Sequence, residues 1–199
     1  VNTDQYTSFV GANNYEIGLA AGNYAANYLP PNAIILEIWG LTQTSPAQER
    51  HKGFVDALRE REELSFRKIE GPWLVDTARR ELRKLEHPEQ IDFVYAHNDM
   101  MAIAAREYLM AWDSIRGRDL RIIGVDAVAG AGLEAVEDGR INASFLYPTG
   151  GATAIRKAVE LLQGVPVEKN VRLNTATIDR SNAQTLIAQA QQMEDYQRR

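Results

Sequence analysis

The sequence lacks cysteine, and histidine, tryptophan and methionine occur only three, three and four times among its 199 residues. The absence of cysteine excludes a disulfide-stabilised scaffold, a thiolate zinc site and a cysteine nucleophile. Acidic residues outnumber basic ones, 27 to 22, and this excess argues against a nucleic-acid-binding surface. No apolar run approaches the roughly 20 residues that cross a bilayer. Val1–Gln5 also lacks the positive charge of a secretory signal peptide.

Apolar, β-branched segments alternate along the chain with amphipathic ones, and this alternation predicts an α/β sandwich in which a parallel sheet lies between helices. Asn13 is predicted to cap the first helix, with Glu16 completing a capping box, and Ser45 is predicted to cap the second. The predicted strands are 6–10, 33–38, 64–69, 91–96, 120–125, 141–146 and 171–178. Further helices are predicted at 75–85, 99–111, 131–138 and 152–163, and from Ser181 onward.

Polar side chains follow three of the predicted strands at the points where these strands end. Asn98 and Asp99 follow strand 91–96, Asp126 follows strand 120–125, and Arg50 follows the loop after strand 33–38. Because ligands bind beyond the carboxyl ends of parallel strands, we expect these side chains to meet at one mouth. Amides, carboxylates and a guanidinium without an evident nucleophile indicate recognition of a polar small molecule rather than catalysis.

Three catalytic or cofactor arrangements were weighed against simpler structural roles. His97 with Asp99 or Asp126 and Ser45 or Thr44 could form a triad, but Ser45 stands where a helix cap is needed and no nucleophile elbow is present. The three histidines have no short spacing suited to a metal, and Gly150-Gly151 is not part of a phosphate-binding motif. The sequence therefore predicts no catalytic residue, no metal site and no cofactor.

Trp73 and Arg50 each admit a binding role and a structural one. Trp73 lies in a loop at the end of strand 64–69, where it could stack on a sugar or a base or fill a gap beneath the loop. Arg50 could be an ordinary solvated arginine, or its planar group of five donors could hold hydroxyls near Asp126.

Four motifs occur in order: GANNYEIG at 11–18, AQERHKGF at 47–54, VYAHNDMMA at 94–102 and IGVD at 123–126. Together they resemble the type I periplasmic sugar-binding proteins of the ribose-binding class and the related LacI-type effector domains. The resemblance covers nearly the whole chain. It implies the C-terminal lobe of that fold, a carbohydrate ligand, an extracytoplasmic location and no enzymatic activity in this chain.

The resemblance also implies roles for single residues. Arg50 matches the arginine that clamps sugar hydroxyls, and Trp73 matches an aromatic residue of the pocket. Asn98 matches an amide that bonds to a hydroxyl, and Asp126 matches a carboxylate that accepts hydroxyl protons.

Two further positions are assigned less directly. Tyr147 stands where relatives often carry glutamine, so its ligand role is an open expectation. Asp99 is expected to cap the following helix, with ligand binding as a second role.

Segments 43–47 and 142–151 are similar to the periplasmic sensor regions of hybrid two-component histidine kinases, and segment 133–139 is similar to transport and sensor proteins rather than to LacI-type repressors. The resemblance thus implies a sensor domain that binds a small sugar or polyol, with a kinase attached elsewhere and the membrane reached only through attached segments. A solute-binding protein of a sugar ABC transporter and a LacI-type effector domain are the alternatives.

The family has two lobes joined by three crossovers, and most of the N-terminal lobe is expected to be missing. Residues 1–12 then form the last N-lobe strand and first crossover, 13–147 the C-terminal lobe, 148–172 a return segment of the N-terminal lobe, and 173–199 the final strand and helix. Helix 152–163 would expose an apolar stripe, which predicts a dimer, an exchange of segments or a refolded helix.

Overall fold

The computed structural model describes residues 5–112 and 120–197. Within these ranges lie eight strands and seven α-helices. The strands are β1 (Phe9–Ala12), β2 (Ile34–Trp39), β3 (Ser65–Glu70), β4 (Phe93–Ala96), β5 (Arg121–Asp126), β6 (Ala143–Leu146), β7 (Asn170–Leu173) and β8 (Thr177–Asp179). The helices are α1 (Asn14–Ala26), α2 (Ser45–Ala57), α3 (Val75–Leu82), α4 (Asp99–Leu109), α5 (Gly132–Glu137), α6 (Gly151–Leu162) and α7 (Ala183–Gln197).

Six of the strands form one sheet in the order β3-β2-β4-β5-β6-β8, and β1 pairs with β7 in a separate two-stranded sheet. All neighbours are parallel except β8, which runs antiparallel to β6. The predicted α/β sandwich is confirmed, with one antiparallel edge strand. The single strand predicted at 171–178 is wrong, because this segment divides into β7 and β8, which belong to different sheets.

Two predicted caps have different outcomes. Asn13 caps α1 as predicted, since its side-chain oxygen accepts hydrogen bonds from the backbone N–H groups of Tyr15 and Glu16. The cap predicted at Ser45 is wrong by one residue: Thr44 is the N-cap of α2, and its hydroxyl donates to the carbonyl of Leu41 instead of capping. Ser45 already belongs to the helix, directly before Pro46.

The core lies on both faces of the six-stranded sheet. Alternate residues of β4 point to opposite faces, as the pleat requires: Val94 belongs to the cluster beneath α3, α4, α5 and α7, whereas Phe93 and Tyr95 belong to the cluster beneath α1 and α2. All three side chains are fully buried or nearly so. The central strands are therefore apolar on both faces, like strands covered by helices on both sides.

Helices α1 and α2 approach each other closely through two glycines. A Cβ atom at Gly18 would lie 2.0 Å from the carbonyl oxygen of Arg50, and a Cβ atom at Gly53 would lie 2.1 Å from the carbonyl oxygen of Tyr15. Side chains at these positions would push the two helices apart. The glycines thus set the position of the helix turn that carries Arg50.

The segment around β1, β7 and α6 is built differently from the six-stranded unit. None of the residues of α6 is buried, and its predicted stripe is exposed, with Ile155 at 68%, Val159 at 46% and Leu162 at 88% of their full exposure. The predicted division into lobes at 12, 147 and 172 remains a prediction. None of the helices in the described segments is long and apolar enough to cross a membrane.

Candidate functional site

Arg50 occupies the centre of a cluster at the carboxyl ends of β2, β4 and β5. Its side chain is buried, and its guanidinium carbon lies 5.4 Å from the ring centre of Trp73 and 5.2 Å from that of Tyr147. Both rings face a planar cation, an arrangement in which a cation and an aromatic quadrupole attract each other. Tyr147, which had no clear role in the sequence, is therefore part of the same cluster.

Two oxygen atoms hold the Arg50 guanidinium in place. Nε donates to Oδ1 of Asn14 over 2.9 Å, and Nη1 donates to the main-chain carbonyl of His97. Asn14 is itself buried in the first turn of α1. Arginine has five N–H donors, and among the described residues only these two contacts engage them.

His97 is held by both of its ring nitrogens. Nδ1 accepts from the backbone N–H of Gly40 over 3.3 Å, so Nε2 carries the proton and donates to Oε1 of Glu37 over 3.0 Å. The other Glu37 oxygen lies 2.8 Å from Nδ1 of His51. Since Ser45 is exposed and both ring nitrogens of His97 have partners, the triad considered for the sequence is not assembled.

The charges in this network follow from burial and hydrogen bonding. Burial disfavours the ionised form of Glu37, but hydrogen bonds from His51 and His97 outweigh it and hold its pKa at about 2. Burial lowers the pKa of His97 below its ordinary value, although Glu37 favours the protonated ring. The imidazole of His97 is therefore neutral and fixed in orientation. The main-chain carbonyl of the same residue accepts from Arg50. In the described ranges, no group of three or more acidic or histidine side chains could hold a metal ion.

Trp73 and Asn98 contact each other across two loops. Trp73 has φ 66°, and its ring lies against Gly40, where an added Cβ atom would be 2.1 Å from the ring. Nδ2 of Asn98 donates to the Trp73 carbonyl over 3.2 Å, and its Oδ1 accepts from the N–H of Met101 over 2.9 Å. Asn98 is thus the N-cap of α4, and the cap predicted at Asp99 is wrong.

Asp126 ends β5 near Arg50, and Asp99 lies in the layer below it. Burial raises the pKa of Asp126 to about 6, against the opposing charge of Arg50. Burial also raises the pKa of Asp99 to about 7, helped by the neighbouring Asp126 carboxylate and opposed by hydrogen bonds from Ser144 and Ala127. Asp99 is 3% exposed, so the described structure places it beneath the mouth rather than on its surface.

A cavity of about 410 Å³ adjoins this cluster on the side of β1. Its volume is in the range of small-molecule sites. Asn14 and Tyr147 belong both to its wall and to the surroundings of Arg50. The lining residues are Tyr6, Phe9, Ala12, Asn14, Ser45, Pro46, Glu49, Tyr147 and Asn170.

The structure adds three residues that the sequence did not single out: Asn14, Glu37 and Ser144. Glu37 carried a signal, because it is the one charged residue in the apolar run 33–39. A charge in a strand covered on both faces requires partners. Asn14 and Ser144 carried no comparable signal, since polar residues of their size are ordinary at helix starts and in strands.

Residues 1–166 match the family described as periplasmic binding protein domain. The chain is 28% identical over 173 residues to the ribose import binding protein of Escherichia coli, covering 82% of this chain and 55% of that protein. The corresponding protein of Bacillus subtilis is 26% identical, with 82% and 53% covered. The chain spans about half the length of the curated relatives it matches.

Two solved structures are similar along most of the chain. The fructose-binding periplasmic domain of a hybrid two-component system has a TM-score of 0.86 and 35% identity, with 98% of this chain and 66% of that chain covered. An ABC transporter solute-binding protein from Mycobacterium smegmatis with bound glycerol has a TM-score of 0.79 and 29% identity, with 91% and 64% covered.

Proposed function

The chain belongs to the periplasmic binding protein domain family, and we propose that it contributes one side of a binding site for a small sugar or polyol. The fold is the type I fold of that family, and the family and its periplasmic relatives indicate an extracytoplasmic location. One observation carries the proposal: the buried Arg50 guanidinium lies 5.4 Å from the ring centre of Trp73 and 5.2 Å from that of Tyr147, and it has N–H donors beyond the two that bond to Asn14 and the His97 carbonyl.

In this proposal the ligand is bound by groups that suit its hydroxyls and its apolar face. Arg50 donates to ligand oxygens, Asp126 accepts from hydroxyls, and Asn98 contributes its amide. Trp73 covers the apolar face of the ring, and Tyr147 lines the opposite side. Asp99 lies beneath Asp126 and supports its position without contacting the ligand.

We propose that the binding domain is the extracytoplasmic sensor of a two-component system. In this proposal the kinase is attached elsewhere in the full protein. The similarity to a fructose-binding domain of such a system, at 35% identity, supports this role. A solute-binding protein of a sugar ABC transporter is the second candidate, favoured by the relatives that import ribose. A LacI-type effector domain is the third candidate. The relatives named above are binding proteins rather than enzymes.

Signalling or transport would follow from closure of two lobes around the ligand. We propose 13–147 as one lobe, 1–12 and 148–172 as parts of the other, and 173–199 as the segment that returns to the first. Hinges near Asn13, Tyr147 and Leu173 would absorb the rotation. The pairing of Ala12 with Leu173 at the end of β1 and β7 supports the proposal that two of the crossovers are neighbours.

The binding proposal is tested by thermal shift with D-fructose, D-ribose and other monosaccharides, on the complete natural chain that carries these residues. A ligand at about a hundred times its Kd adds about 2.7 kcal/mol of stability. We expect a selective upward shift that Arg50→Ala and Asp126→Ala abolish. Arg140→Ala is the matched control, because Arg140 pairs with Asp138 on the surface.

Two outcomes would contradict the proposal: no sugar shifts the midpoint, or the shift survives in Arg50→Ala. Sensor and transport roles are distinguished separately, by whether sugar changes the autophosphorylation of an attached kinase. A chain that binds sugar but carries no kinase supports the transport role.

A further inference from the structure

The turn that presents Asp126 is strained. Asp126 has φ 117° and Ala127 has φ 52°, so two consecutive non-glycine residues occupy the positive-φ region. A non-glycine residue in this region is strained, and it persists only where the surrounding structure holds it in place. The turn therefore needs an anchor, and without one the backbone is expected to relax and to carry the Asp126 carboxylate away from Arg50.

The carbonyl of Asp126 accepts from the N–H of Tyr147 over 3.2 Å. The next N–H along the turn, that of Ala127, is anchored by Asp99. Its Oδ2 accepts from the N–H of Ala127 over 2.8 Å, and its Oδ1 accepts from the hydroxyl of Ser144 over 2.6 Å. The same Ala127 N–H also lies 3.0 Å from the Ser144 oxygen. Three elements, α4, β6 and the end of β5, thus meet at one backbone amide directly after Asp126.

The protein makes room for this carboxylate with two glycines. A Cβ atom at Gly124 would lie 2.3 Å from Oδ1 of Asp99, and a Cβ atom at Gly132 would lie 1.9 Å from Oδ2. No other residue type fits at either position without displacing Asp99. The carboxylate is therefore seated in a pocket shaped for it, beneath the turn and away from solvent.

We propose that Asp99 is a positioning residue for ligand binding, which acts by anchoring the strained Asp126–Ala127 turn together with Ser144. The proposal rests on the proposed function, since it takes Asp126 as a ligand-binding carboxylate. Asp99 itself does not touch the ligand. The groups that face it are Ser144 from β6, Asp126 and Ala127 from β5 and the turn, and Arg50 from α2.

The test compares the sugar affinity of four variants of the complete natural chain: Asp99→Ala, Asp99→Asn, Ala127→Gly and the double variant of Asp99→Ala with Ala127→Gly. D-Fructose and D-ribose are the probes in calorimetric titration. Asp99→Ala removes the anchor, and we expect affinity to fall about tenfold or more. Asp99→Asn keeps an oxygen for the Ala127 N–H and should stay within about threefold of the native affinity. Ala127→Gly removes the positive-φ strain at residue 127 and leaves that at Asp126, so in that background Asp99→Ala should cost less affinity than in the native chain.

Asp92 provides a matched control. It is also a buried aspartate that accepts a main-chain N–H, that of Ile34 over 2.8 Å, but it lies at the opposite end of the sheet, before β4. Asp92→Ala should lower stability and leave sugar affinity unchanged. Equal losses of affinity in Asp92→Ala and Asp99→Ala would overturn the proposal, because they would reflect general destabilisation.

Hydrogen exchange at the Ala127 amide gives a readout that needs no ligand. We expect fast exchange in Asp99→Ala and slow exchange in the native protein and in Asp99→Asn; unchanged exchange in Asp99→Ala overturns the proposal. If no sugar binds the native protein, the proposed function fails. The exchange rate of the Ala127 amide then decides by itself whether Asp99 anchors the turn. If Asp99→Ala does not fold, Ser144→Ala is judged by the same two measurements.

Discussion

Helices α4 and α6 are nearly equal in length, and both carry an apolar face, but their surroundings differ. Seven of the eleven residues of α4 are buried, whereas none of the twelve residues of α6 is. Helix α4 packs between the sheet and its neighbouring helices, and it carries Asp99 at its start. Helix α6 follows β6 in the chain and presents its stripe to solvent. An apolar stripe thus defines a face, but it does not supply the partner that covers it.

The difference bears on function because the candidate site lies wholly on the well-packed unit. Asp126 ends a strand of the six-stranded sheet, and Trp73, Asn98 and Tyr147 follow strands of that sheet. Arg50 belongs to α2, which packs on the same unit. Rigid packing below a site holds its groups in a binding geometry. The region of β1, β7 and α6 contributes instead the adjoining cavity wall, through Tyr6, Phe9, Ala12 and Asn170.

The largest expected effect compares two leucines in equivalent positions. Leu109 and Leu162 are the last residues of α4 and α6, but Leu109 is fully buried and Leu162 is 88% exposed. Leu109→Ala should lower the free energy of unfolding by about 2–5 kcal/mol, and Leu162→Ala by less than about 0.5 kcal/mol. Urea unfolding measures both. At chain concentrations below the self-association predicted for α6, a similar loss in the two variants would mean that α6 is covered within the monomer itself.

The second prediction concerns pH and the packed unit. The pKa of Asp99 in the folded chain, about 7, lies above its ordinary value of 3.8. Its contribution to stability is therefore fully present below about pH 4 and is lost as the pH rises through 7. We expect Asp99→Asn to remove on the order of 2 kcal/mol of the decline between pH 5 and pH 8. Thermal melts across this range measure it.

Asp126 contributes a smaller decline in the same direction, since its pKa is raised to about 6. The combined variant with Asp126→Asn should therefore flatten the profile further. If the native melting temperature does not change from pH 5 to pH 8, the two carboxyls are more solvated than their surroundings indicate.

The third and smallest effect concerns the exposed stripe of α6, for which we predict self-association or an exchange of segments in the isolated 199-residue chain. Ile155→Asp should weaken the association about tenfold, because it places a charge on the apolar face. Met193→Asp is the control, because it places the same charge on an exposed apolar side chain of a different helix, α7, where Met193 is 66% exposed. Sedimentation analysis measures both. A monodisperse native monomer at micromolar concentration, with α6 solvated, contradicts the prediction.

Much of the fold could be predicted from local patterns. The Asn13 cap and the apolar strands follow from short-range chemistry, and the structure agrees with them to within a few residues. The strand predicted at 171–178 is wrong because that prediction also rested on local patterns alone. Residues 171–178 look like one β-rich strand, but the two halves pair with different sheets, and pairing partners are not encoded in local alternation.

The sequence by itself determined the alternation of strands and helices. It also determined which polar residues follow the carboxyl ends of the strands and resemble a sugar site. Periodicity and strand ends are local properties of the chain. Only the tertiary structure decided which of these residues face the candidate site and which hold the others in position. It seated Asp99 beneath the Asp126 turn, between Gly124 and Gly132. It also tied Arg50 to Asn14 and to the His97 carbonyl. Contacts between residues 28 to 47 positions apart depend on how the elements pack, and packing is a property of the whole chain.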